Sequence, residues 1–118
     1  MDFEFVQRSI RKQDASEAIR LAKTGQLVHS QRAWAYTQAA RQLMNSERQR
    51  SLDLLEAAAD EAGRIDGNTA DRIVLLIGVA RQFVTADRTR GWEMMSEVVK
   101  AANSTETFTG DNAQIFSP

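Results

Sequence analysis

The chain has 118 residues, a net charge of −1 and a 42% hydrophobic share, enough apolar material for one compact unit and too much for a wholly disordered one. The near-neutral balance argues against a surface that neutralises many phosphates, so nucleic acid is not expected as a partner. With no cysteine, disulfides, thiolate zinc sites and cysteine nucleophiles are excluded.

No apolar run approaches the length of a membrane span, and Met1 to Gln13 has no apolar stretch of the signal-peptide kind. No membrane partner is expected, and the compartment is left open with the cytoplasm slightly favoured. In chain order, Phe3, Val6 and Ile10 fall at i, i+3 and i+7, a short amphipathic helix. A second helix carries Ala15, Ala18, Ile19 and Ala22 and stops at Gly25. Ser30 is expected to cap a long helix to about Met44, with Ala33, Tyr36, Ala40 and Leu43 on one face. Ser46 is expected to cap the next, in which Leu52, Leu55, Ala58, Ala59, Ala62 and Ile65 line up.

After a break at Asp66, Gly67 and Asn68, residues 69–85 form the most apolar stretch, predicted as the central helix and covered on most of its circumference. Gly78 within it implies that a neighbouring helix crosses there. Asp87 starts the last helix, whose apolar stripe is Trp92, Met95, Val98, Val99 and Ala102. From Asn103 the chain turns polar and irregular.

Shifting Ala39 to Ala62 by forty residues lays it, without a gap, on Val79 to Ala102. Ala40, Arg41, Gln42, Arg48, Arg50 and Ala62 recur as identities, and Leu43 matches Phe83, Leu52 Trp92 and Leu55 Met95 in class. A third copy lies thirty-three residues earlier, placing Val6, Arg8, Ile10, Asp14, Ala18 and Ile19 opposite Ala39, Arg41, Leu43, Glu47, Ser51 and Leu52. The missing seven residues follow Lys23 and amount to about two helical turns, which shortens a helix without rotating its apolar face. In this register the chain starts inside a first helix, so it is expected to be a fragment, or a natural start, of an array, with Phe3 and Phe5 exposed or against a neighbouring molecule.

Such a pattern resembles the tetratricopeptide-like αα-hairpin repeats. Val74, Ile77, Gly78 and Arg81, and in the middle repeat Trp34, Thr37, Gln38 and Arg41, stand at the spacing of that family's first-helix Trp, Leu, Gly and Tyr. Ser51 or Gly91, Leu55 or Met95, and Ala58 or Val98 follow its small, large, small pattern. Arg stands where the family has an aromatic, the glycine occurs in one repeat, and the terminal proline is absent; a forty-residue period also suits HEAT-type repeats. The chain is similar as well to bacterial helical-repeat proteins with no assigned activity. The resemblance implies an all-α fold: three antiparallel αα-hairpins (about 3–25, 28–65 and 69–102) stacked as a short right-handed superhelical array within a single domain, 1–102, with an irregular tail at 103–118. It implies a non-enzymatic module that binds protein or peptide. The alternative is a structural, self-assembling unit that forms homo-oligomers through its open ends or its tail, where Phe108, Ile115 and Phe116 lie.

No cofactor or metal is expected. His29 is the only histidine and reads as a surface or capping residue, Asp60 with Glu61 and Asp53 with Glu56 as solvated acids, and the single glycines as helix-end caps. The partner-binding candidates are Arg8, Arg41 and Arg81, equivalent on successive first helices at roughly 10 Å intervals, with Gln42 and Gln82 beside them and Trp34 nearby. Together they would clamp an acidic or C-terminal peptide by forked hydrogen bonds. In the competing reading each Arg is a strut paired with an acid such as Glu47 or Asp87. Trp34, Trp92 and Tyr36, aromatic at helical spacing, are expected in the core.

Overall fold

The computed structural model describes residues 2–65 and 70–103, which form six helices and, among the described residues, no strand. They are α1 (Asp2–Arg11), α2 (Ala15–Thr24), α3 (His29–Leu43), α4 (Arg48–Gly63), α5 (Ala70–Ala86) and α6 (Arg88–Asn103). Each helix packs on the next in sequence, and α3 also touches both α1 and α5. The expected break at 66–68, the tail beyond Asn103 and the Ala102 side chain lie outside the described residues.

The three second helices begin at equivalent points. Asp14, Glu47 and Asp87 are the last residues before α2, α4 and α6, and their carbonyls accept from the N–H groups of Ala18, Ser51 and Gly91 at 3.1, 2.9 and 2.9 Å. Those three small residues are all buried, and they let paired helices approach closely. Ser51 Oγ donates to the Ala40 carbonyl at 2.7 Å, so its buried hydroxyl is satisfied. Gly25 ends α2 as expected, its N–H bonded to the Leu21 carbonyl at 2.7 Å.

Two caps differ from expectation. Ser30 lies inside α3; the residue before the helix is Val28, whose N–H donates to Gln31 Oε1 at 3.2 Å. α4 starts after Glu47 rather than Ser46, and Glu47 makes no side-chain cap, its carboxylate lying 3.5 Å from Arg50. Asp14 and Asp87 do cap, accepting from the N–H groups of Glu17 at 3.1 Å and Arg90 at 3.3 Å.

The centre of the molecule is α3, not the more apolar α5. Among the described residues α3 touches α1, α2, α4 and α5, whereas α5 touches α3, α4 and α6. The cause is size: Ala33, Ala35, Ala39 and Ala40 are at most 1% exposed, and a helix faced with methyl groups admits neighbours on several sides. Larger side chains fill the spaces between, with Val6, Leu55, Ile73, Val79 and Phe83 fully buried; each contributes about 1.5–3 kcal/mol.

Tyr36 is buried, Trp34 is half-buried with its ring edge-on to Phe3 at 5.3 Å, but Trp92 is 56% exposed and Val99 51%. The expected core position of Trp92 is therefore corrected: it stands on the exposed side of α6. Gly78 does face another helix, yet a Cβ there would lie 3.9 Å from Thr37 Cγ2, an ordinary contact. Phe5 is 49% exposed, and Phe3 is partly buried.

Candidate functional site

The first helices place their polar residues in register because they pack side by side, α1 on α3 and α3 on α5. Between α3 and α5 runs a depression of about 390 Å³, lined by Thr37, Gln38 and Arg41 on one side and Gly78, Arg81, Gln82 and Thr85 on the other. Gln38 and Arg41 also line a second depression, of about 540 Å³, whose far wall is Ile10, Arg11 and Gln13 at the end of α1. The two share a wall and together make one shallow groove across α1, α3 and α5.

Three guanidinium groups, Arg11, Arg41 and Arg81, line this groove, and no carboxylate does. Among the described residues none of the three lies within ion-pair distance of an acid. The acids proposed as their struts are engaged elsewhere, Glu47 with Arg50 and Asp87 with the N-terminus of α6. The potential in such a cleft attracts anions, and forked donors suit carboxylates in particular.

The candidate residues divide into three groups. Arg41, Arg81 and Gln82 come together in the α3–α5 depression. Gln42 joins its neighbour, but its Nε2 donates to the Ile10 carbonyl at 2.8 Å and so ties α3 to the end of α1; its Oε1 is buried with no partner among the described residues. Arg8 and Trp34 line neither depression: Arg8 lies over the Phe5 ring at 5.6 Å and Trp34 packs on Phe3. Sequence reasoning passed over Arg11, Gln13, Gln38, Thr37 and Thr85 as groove residues. Gln38 carried a signal, since it occupies the position of Gly78 in the repeat register.

A second polar cluster sits elsewhere, and it corrects the reading of Glu61 as a solvated acid. Glu61 is buried on the inner face of α4. Its Oε2 meets His29 Nδ1 at 2.6 Å and Arg32 at 3.9 Å, and its Oε1 meets Arg64 at 3.6 Å. Arg32 in turn donates to the carbonyls of Ala22 at 2.8 Å and Gly25 at 3.4 Å, at the end of α2. A buried carboxylate is tolerated when cations and hydrogen bonds surround it, and here it joins α2, α3 and α4. Burial beside this cluster pushes the Tyr36 phenol above its ordinary value, against a smaller opposing pull from Arg32. Among the described residues no three His, Asp or Glu side chains converge as metal ligands would, and no helix is long and apolar enough to cross a membrane.

Comparisons with protein-family models, with curated proteins and with solved structures found no match to this chain.

Proposed function

We propose that the chain is a non-enzymatic interaction module of tetratricopeptide-like design, a short right-handed stack of helical hairpins whose first-helix face holds an extended, acidic segment of a partner protein. The observation that carries this reading is the groove across α1, α3 and α5. Its guanidinium groups, Arg11, Arg41 and Arg81, line it without a carboxylate, and Gln38, Gln82 and Gln42 stand between them. Fixed planar donors spaced along a trough suit carboxylates spaced along an extended chain. A catalytic role has less to stand on, because His29 and Glu61 are engaged with each other and no nucleophile with a base lies in the groove.

Fluorescence anisotropy with a labelled Glu/Asp-rich peptide and a Lys-rich control tests this. The acidic peptide binds the full chain with an affinity that falls as salt rises, and Arg41→Glu/Arg81→Glu weakens it at least about tenfold, or about 1.4 kcal/mol. Equal binding of both peptides, or no loss in the double variant, would overturn the reading.

A further inference from the structure

Among the described residues the backbone of α6 approaches that of α5 and of no other helix. One flank of α6 is occupied, with Arg90 2.6 Å from Glu56 of α4 and over the Phe83 ring at 5.2 Å. Two residues on, about 200° round the helix, Trp92 is 56% exposed, and Val99, two turns further, is 51% exposed. Exposed Ser96 stands between them. In the repeat register these positions match Leu52 and Ala59 of α4, both partly buried against the core to which α5 contributes Val79 and Phe83. On α6 the corresponding side chains of this face, Trp92 and Val99, are instead more than half exposed.

We propose that a second copy of the chain covers it, the two α6 helices running antiparallel and crossing at Ser96. The face is self-complementary in this direction. Trp92 stands four residues before Ser96 and Val99 three after, so a twofold crossing lays each Trp92 on the other copy's Val99, with the small Ser96 residues at the closest point. Glu93 stands three before and Lys100 four after, so the same operation brings each Glu93 beside the opposing Lys100. A parallel pairing would instead set Trp92 on Trp92 and turn the Glu93 and Lys100 flanks of the two copies to opposite sides, away from each other. Lys100 is free to exchange partners, because its 3.6 Å contact with Glu97 joins two side chains that are each 76% exposed, a kind of pair that contributes little. The exposed side of α1 matches α6 less well, since Phe5 there already lies under Arg8. α6 contributes nothing to the arginine groove, so the two proposals stand or fall separately.

Sedimentation equilibrium of the full chain tests the proposal over a series from roughly 10 µM to 1 mM, where an interface below about 1,200 Å² shows itself. The mass rises from 13.2 kDa towards twice that value and stops there. Trp92→Ala weakens association at least about tenfold, as does Glu93→Lys alone, and Glu93→Lys/Lys100→Glu restores it to within about threefold. All three positions are exposed, and circular dichroism checks that the variants keep their helices. A monomer throughout, with Trp92 open to acrylamide or shielded by its own chain, overturns the proposal. So does mass growing past the dimer, indifference to Trp92→Ala, or failure of the charge swap to restore association.

Discussion

Gly91 of α6 and Val84 of α5 meet backbone to backbone: a Cβ placed on Gly91 would lie 2.5 Å from Val84 Cα, where no side-chain rotation can make room. Forty residues earlier, the equivalent Ser51 and Met44 are in contact through Oγ and Sδ at 3.7 Å, a distance that accommodates a hydroxyl. The same crossing is thus tighter in the third helix pair than in the second. Gly91→Ala is expected to cost about 2–3 kcal/mol by overpacking, despite the better helix propensity of Ala. A urea midpoint unchanged from the parent would show that α5 and α6 are not packed at this distance.

Gly78 gives the opposite expectation. A methyl group there meets Thr37 Cγ2 at 3.9 Å, so Gly78→Ala removes backbone freedom from the unfolded chain at no steric cost. Stability should rise by about 0.5–1 kcal/mol, read as an upward shift in thermal midpoint. A fall would mean that α3 and α5 approach more closely than these contacts indicate.

Tyr36 is the one tyrosine in the chain, so its phenol can be titrated alone by absorbance near 295 nm. Burial raises its folded value above the ordinary 10.0. The folded state therefore holds the phenol proton more tightly than the unfolded state does. Its contribution to stability is complete below the unfolded value and is lost as pH rises from there through the folded one. The native chain should titrate above the urea-unfolded chain, and Tyr36→Phe should flatten the alkaline fall in stability. Coincident titration curves would contradict the burial of this ring.

The two ends of the 2.6 Å His29–Glu61 contact are unequally buried, with side-chain exposures of 45% and 11%. Glu61→Ala removes the carboxylate that Arg32, Arg64 and His29 share and should cost about 2–3 kcal/mol, much of it from stranding Arg32 beside α2. His29→Ala should cost less than about 1 kcal/mol, as partly exposed pairs do. Denaturation midpoints decide this, and equal losses would place the weight on the histidine rather than on burial.

The starts of α2 and α6 were legible in the sequence at Asp14 and Asp87, whereas α4 was read one residue early, at Ser46, although the register sets Glu47 opposite those two acids. The centrality of α3 was not legible. Apolar run length singles out 69–85, whereas packing at the centre selects for smallness, and the alanines of α3 give no such signal by hydropathy. Trp92 eluded the reading because amphipathic spacing identifies an apolar face without saying what, if anything, packs against it. Glu61 could have been found: with Leu54, Ala58 and Ala62 it sits on the buried stripe of α4, and an acid on an apolar stripe calls for cations nearby. Periodicity sets Arg41 and Arg81 at equivalent positions, and both line the depression between α3 and α5. Arg8 shares that periodicity and still misses the groove, because its local aromatic neighbour, Phe5, holds it.

α2 has ten residues against sixteen in α4, a difference of six, so the seven residues missing from the sequence register do not all come out of the helix itself. Seven residues return a helix to nearly the angle at which it started, whereas one residue turns every later side chain by about 100°. An insertion of seven residues after Lys23 should lengthen α2 while Ala15, Ala18, Ile19 and Ala22 keep their places, and an insertion of one or two should be expelled into the linker at Gly25 rather than absorbed by the helix.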